Sequence, residues 1–136
     1  MNIVILGCGR VGAQLAGILD RAGHTVSVID SSSDSFQRLG PDFGGTTYIG
    51  NGVDEDVLGR AGIKRADVFV AVTNGDNRNI MASQIARELF QVKKVVCRIY
   101  DPIREETYRE LGLETFCPTT VGAQMIFDAI IDRKQK

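Results

Sequence analysis

Residues Val4-Ile5-Leu6-Gly7-Cys8-Gly9-Arg10-Val11-Gly12 carry an apolar run into a GxGxxG sequence, and an apolar periodicity continues from Val11 to Ala22. That order reads as strand, tight turn, helix. Each glycine has a mechanical reason. Gly7 permits the sharp turn off the strand, Gly9 lets backbone approach a bound pyrophosphate, and Gly12 lets the helix pack close to the strand. The helix start then offers unpaired N–H groups and the positive end of its dipole to an anion, and Arg10 adds a full charge there. GxGxxG alone is a weak signal, because glycines cluster in turns for structural reasons. Here a strand precedes it, a helix follows, and an acid, Asp30, stands eighteen residues beyond Gly12.

Around that unit, 136 residues suffice for one domain with a substantial core, and we expect residues 1–136 to form a single nucleotide-binding unit. A hydrophobic fraction of 43% with 24% charged residues fits a soluble globular chain. No apolar run approaches the ~20 residues of a membrane span, so direct membrane insertion is not expected. A net charge of −1 provides no basic field for nucleic acid. The first strand begins at Asn2, which leaves no room for a signal peptide. Cys8, Cys97 and Cys117 lack CxxC spacing, which points to reduced thiols in a cytosolic protein acting as small apolar fillers.

The strand-then-helix pattern repeats. Thr25 to Asp30 is a second strand, and Ser31 to Leu39 a helix with Phe36 and Leu39 on its buried side. Thr46 to Ile49 is a short third strand, followed by a helix capped by Asp54, carrying Val57, Leu58 and Ala61, and stopped at Gly62. Asp67 to Thr73 is a continuous apolar run suited to a central strand covered on both faces. A long helix from about Asn79 to Phe90 would bury Met81, Ile85 and Leu89, with Ala82 and Ala86 beside them. Lys94 to Ile99 is a fifth strand, and Asp101-Pro102 opens a helix ending at Gly112. Glu114 to Cys117 is a sixth strand, broken by Pro118. Thr120 to Asp132 is a last helix with Val121, Met125, Ile126, Ala129 and Ile130 on one side. That stripe would cover its own sheet, a second subunit, or both. Lys134-Gln135-Lys136 reads as a solvated end or a cut point. Six βα units with short connections predict an α/β Rossmann fold: a doubly wound, six-stranded parallel sheet of order 3-2-1-4-5-6 with helices on both faces. The ligand crevice should lie outside the carboxyl ends of strands one and four.

Asp30 ends the second strand, where its carboxylate can accept from both ribose hydroxyls of an adenosine or cap the helix that follows. It would repel a 2′-phosphate, and Ser31-Ser32-Ser33 supply no arginine, so NADP is disfavoured against NAD or an adenine mononucleotide. The loop Thr73-Asn74-Gly75-Asp76-Asn77-Arg78-Asn79 opens at the switch point and could meet the second half of a ligand. The same composition also serves an ordinary turn with a helix cap. Arg98, within Val95-Val96-Cys97-Arg98-Ile99, must find an anion or an acid unless its strand edge faces water.

Taken together, Gly7 to Gly12, Asp30, the Gly50-to-Asp54 turn, Ala61-Gly62-Ile63 with Ala66-Asp67, Thr73 with Asp76 and Asn79, and Arg98 resemble the KTN, or TrkA-N, domains. These are the N-terminal regulatory domains of bacterial Trk and Ktr potassium-uptake proteins, called RCK domains in potassium channels. The resemblance spans the whole chain. It implies a Rossmann fold that binds NAD, NADH, ATP or ADP and assembles as dimers into a ring under a membrane pore. It also implies a membrane-embedded potassium transporter or channel as partner, and a cytoplasmic place at the inner face of the membrane. By the same resemblance Gly7, Gly9, Arg10 and Gly12 would hold phosphate, and Asp30 the ribose. Asn51 and Gly52 would border the adenine, Thr73 and Asn79 the distal half, and Arg98 a phosphate of the same or a neighbouring subunit. With neighbouring positions included, the candidate set is Gly7, Cys8, Gly9, Arg10, Val11, Gly12, Asp30, Ser31, Asn51, Gly52, Thr73, Asn74, Asn79 and Arg98. No residue is assigned to catalysis or to a metal. The family usually carries an acid at the positions of Asn51 and Asn77, and its second regulatory domain has no counterpart in this sequence.

A dehydrogenase needs a positioned acid or base near the nicotinamide, and the single histidine, His24, enters the second strand at the end away from the crevice. Cys8 has no partner histidine, and no Mg²⁺-binding acid pair can be assembled from the loops. The leading expectation is therefore a ligand-sensing switch rather than an enzyme. The alternative is the NAD-binding part of an oxidoreductase lacking its catalytic segment.

Overall fold

A computed structural model describes residues 1–132, so the expected solvated end at 134–136 lies outside the described residues. The strands are β1 (Asn2–Leu6), β2 (Thr25–Asp30), β3 (Thr46–Ile49), β4 (Val68–Ala71), β5 (Lys94–Arg98) and β6 (Glu114–Phe116). The helices are α1 (Arg10–Arg21), α2 (Glu55–Arg60), α3 (Asp76–Gln84), α4 (Pro102–Glu110) and α5 (Pro118–Asp132). All five strand pairings are parallel and the order is β3-β2-β1-β4-β5-β6, the doubly wound Rossmann topology anticipated above. Ile3 of β1 lies between Val26 of β2 and Val68 of β4, which fixes the register at the centre of the sheet.

The apolar runs of β1 and β4 are continuous because each strand feeds two cores. Ile3 and Ile5 join Val26, Val28 and Val70 beneath Ala13 and Ala16 of α1. Val4 and Leu6 join Ile29, Phe69 and Ala71 beneath Val57, Leu58 and Ala82 on the opposite face. Glycines stop the elements as their positions suggested, with φ of +88° at Gly62 and +100° at Gly112. Asp54 caps α2 through Asp56 N–H, and Asp101 caps α4 through Ile103 N–H with Pro102 next in line.

Three expectations need correction. Ser31 to Leu39 forms a 3₁₀ helix over Ser33–Leu39 with no fully buried residue, although Phe36 and Leu39 do pack against the α1-side core. The helix expected from Asn79 starts at Asp76 and ends in a wider π turn over Ile85–Leu89. It buries Asn79, Ile80, Ala82, Ser83 and Ala86, leaving Met81 and Leu89 54% and 61% exposed. Asn79 sets that rotation, because its side chain is bonded to the end of β4 and to β5. Small Ala82 and Ala86 then face the sheet. Third, α5 begins at Pro118 and has no buried residue, so its apolar side does not cover its own sheet.

Candidate functional site

The carboxyl ends of β1, β2 and β4 open onto a cleft of about 640 Å³, within the usual range for small-molecule sites. Its floor is the glycine turn. Gly7 sits at φ +112°, donates its N–H to Ile29 O at 2.8 Å, and a Cβ there would come within 2.9 Å of the Val72 and Thr73 backbone. A Cβ on Gly12 would stand 1.9 Å from Gly7 O, so only glycine allows α1 this close to β1. Gly9 differs, since a Cβ on it would meet no protein atom within 4 Å. No protein atom therefore requires glycine at Gly9. No side chain caps α1, which leaves its first N–H groups directed at the cleft beside Arg10 and Val11.

Asp30 is tied in two directions. Its Oδ2 accepts from Cys8 N–H at 2.8 Å and its Oδ1 from Ser32 N–H at 2.9 Å. Each oxygen keeps a lone pair for a further donor. Cys8 itself is turned inward, its Sγ donating to Ser35 O at 3.4 Å, and burial pushes its thiol pKa up, with Asp30 adding to the effect. It is a protonated filler. Beyond β3, Gly50 N–H donates to Asp30 O, and Asn51 Oδ1 accepts from Val53 N–H at 3.0 Å, while the Asn51 amide donors have no partner among the described residues. Gly52 must be small because a Cβ would stand 2.3 Å from the Leu6 side chain.

On the far wall, Asn79 is fully buried and its bonds are all internal. Its Oδ1 accepts from Thr73 N–H at 2.9 Å and Thr73 Oγ1 at 2.6 Å, while Nδ2 donates to Thr73 O and Arg98 O. Asp76 adds a second clamp by accepting from Tyr100 and Asp101 N–H. Arg98 is half-buried in β5, an interior strand, which sets aside the solvent-facing edge reading. Its Nη1 donates to Val72 O at 3.3 Å and its guanidinium lies 4.3 Å from the Tyr100 ring centre. Its Nε is buried with no partner among the described residues.

Of the candidate residues, Gly7, Gly9, Arg10, Val11, Asp30, Ser31, Asn51, Gly52, Thr73, Asn74 and Arg98 line the one cleft. Cys8, Gly12 and Asn79 lie behind it and shape it. Arg38, Arg78 and Tyr100 also line it and were not singled out from sequence. Four arginines, Arg10, Arg38, Arg78 and Arg98, thus line the cleft with a single carboxylate, Asp30. Such a site suits a ligand carrying several negative charges, with one polar end at Asp30. Asn77, at a position where the family usually carries an acid, accepts from Arg104 Nη2 at 2.6 Å and is held by α4. Among the described residues no cluster of His, Cys, Asp and Glu could hold a metal ion, and no helix is long and apolar enough to cross a membrane.

Residues 3–118 match the TrkA-N domain model. The chain belongs to the TrkA-N family. A Trk system potassium uptake protein TrkA from Streptomyces coelicolor is 55% identical over 115 residues, covering 85% of this chain and 52% of that protein. The chain spans about half the length of such curated TrkA relatives. Among solved structures, the TrkA-N fold recurs in a Shewanella denitrificans Kef C-terminal domain in AMP-bound form, with a TM-score of 0.84 and 21% identity over 100% of this chain and 83% of that one. A GsuK structure bound to ADP superposes with a TM-score of 0.78 and 26% identity, covering 93% of this chain and 33% of that one.

Proposed function

We propose that this TrkA-N domain senses an adenine nucleotide, NAD(H) or ADP/ATP, and gates potassium transport through a membrane partner. The observation that carries the reading is Arg98, a half-buried residue whose Nε is buried without a partner among the described residues, and which lines the cleft together with Gly9, Arg10 and Val11 at the uncapped start of α1. Leaving that Nε–H without an acceptor is costly, and a phosphate oxygen supplies one. Gly7 to Gly12 would cradle phosphate, Asp30 would accept from the ribose, and Asn51 and Gly52 would border the base. Arg78 and Arg98 would take the distal phosphates or the second nucleotide, and Thr73 and Asn74 would close that end. Likenesses to AMP-bound Kef and ADP-bound GsuK support this choice of ligand class. When bound, the ligand contributes concentrated negative charge, while the chain holds it and passes on the consequence.

The Thr73 loop offers a route for that consequence. Asn79 links the loop to α3 and to β5, so a shift at Thr73 moves two elements. A coupling of typically ~1–3 kcal/mol between ligand and partner would suffice for regulation. The exposed apolar side of α5 supports a homodimer or larger ring, positioned cytoplasmically beneath a Trk-type transporter or a channel. The oxidoreductase alternative finds less support, because His24 lies at the other end of the sheet, its Nδ1 3.0 Å from the Met1 ammonium. The test is calorimetric titration of ATP, ADP, NAD and NADH with mass followed by light scattering, and then potassium flux from the full assembly. Nucleotide binding by a dimer and nucleotide-dependent flux are expected. Tight NAD(H) binding by a strict monomer, with flux indifferent to any nucleotide, would overturn the reading.

A further inference from the structure

Ser31-Ser32-Ser33 supply no arginine, yet the 3₁₀ helix over Ser33–Leu39 folds back and brings Arg38 into the same cleft. Arg38 makes one long hydrogen bond, Nη1 to Cys8 O at 3.4 Å, and no ion pair among the described residues. Most of the five guanidinium donors are therefore uncommitted. Its backbone partner is telling. Cys8 N–H donates to Asp30 Oδ2 while Cys8 O accepts from Arg38, so the carboxylate and the guanidinium flank one residue at the ribose end.

Room exists there as well. A second, more open hollow of about 460 Å³ lies against the 3₁₀ helix, and Ser35 and Arg38 line both it and the cleft. Ser32 adds a hydroxyl to that hollow and Ser31 one to the cleft. Asp34 lines only the second hollow, so an anion would sit on the Arg38 side of it. Asp30, meanwhile, accepts a peptide N–H on each oxygen, so its carboxylate is already engaged on the Cys8 and Ser32 side.

We infer that Arg38, with Ser31 and Ser35, forms a subsite for a phosphate on the ribose 2′ position, so that the cleft accepts 2′-phosphorylated adenine nucleotides. The inference rests on the nucleotide reading above, with adenosine at the Asp30 end. Its test is calorimetry on the full chain with 5′-AMP and with 2′,5′-ADP, for the natural protein and Arg38→Ala. The natural protein should bind 2′,5′-ADP within about tenfold of 5′-AMP. Arg38→Ala should weaken 2′,5′-ADP by about tenfold or more, the loss of a charge-assisted bond, and 5′-AMP by less than about threefold. Binding of 5′-AMP with 2′,5′-ADP a hundredfold weaker would overturn the subsite alone, as would equal losses for both ligands in Arg38→Ala. Failure of the natural protein to bind either ligand would overturn the nucleotide reading and the subsite with it.

Discussion

Arg98 and Asp30 mark the two ends of the cleft, and each can be tested by the part of the ligand it would meet. Arg98→Ala should weaken ATP by about tenfold or more and adenosine hardly at all, read by calorimetry. Equal losses would remove Arg98 from any phosphate contact. Asp30→Ala should weaken every ribose-bearing ligand, and its melting temperature should fall too, because Cys8 and Ser32 N–H lose their acceptor. The buried thiols have a separate pH signature. Burial raises the pKa of Cys8 and Cys97, so the folded state favours the protonated form. Unfolded thiols ionise near ~8.5. This contribution is therefore constant below that pH and lost as pH climbs from there toward the folded-state values. Urea midpoints at pH 7 and pH 10 should show the fall, and Cys8→Ala with Cys97→Ala should lessen it.

At the scale of elements, α3 shows how one polar side chain can override an apolar pattern. Met81, Ile85 and Leu89 form the more obvious stripe, yet Asn79 and Ser83 go inward because Asn79 satisfies four hydrogen bonds there. Asn79→Ala should destabilise the fold by about 3 kcal/mol, since it strands the Thr73 N–H and the Arg98 carbonyl and leaves a void. Chemical denaturation would measure this, and a loss under ~1 kcal/mol would show that the clamp is dispensable. The turn at Gly7 to Gly12 behaves in the opposite way. Its local spacing made it legible, because a positive φ and a close helix approach are demands that only glycine meets.

Across the whole molecule, the uneven cover of the sheet is what stands out. The faces around β1 and β4 are closed by α1, α2 and α3, whereas α5 presents Met125, Ile126, Phe127 and Ile130 at 57% to 67% exposure. Exposed apolar side chains of that kind support the proposed association. Replacing Ile126 and Ile130 with Asp should shift the particle toward monomer in sedimentation while leaving the far-ultraviolet spectrum unchanged. An unchanged mass would assign the association to another surface. The charge distribution is equally uneven, with a net charge of −1 overall and four arginines gathered at one cleft. Composition conceals such a field, because it averages over the surface.

By itself the sequence determined the six strands, their order, the glycine turn and the acid at the end of β2. Period, caps and turn glycines are local properties, and parallel connections leave little freedom in how such units pack. The tertiary structure alone decided that Arg38, Arg78 and Tyr100 enter the cleft, that Asn79 braces it from behind, and that α5 stays uncovered. Those outcomes depend on where distant segments meet, and on which side of a helix a buried hydrogen bond holds against the sheet. Neither is written in the spacing of any one stretch.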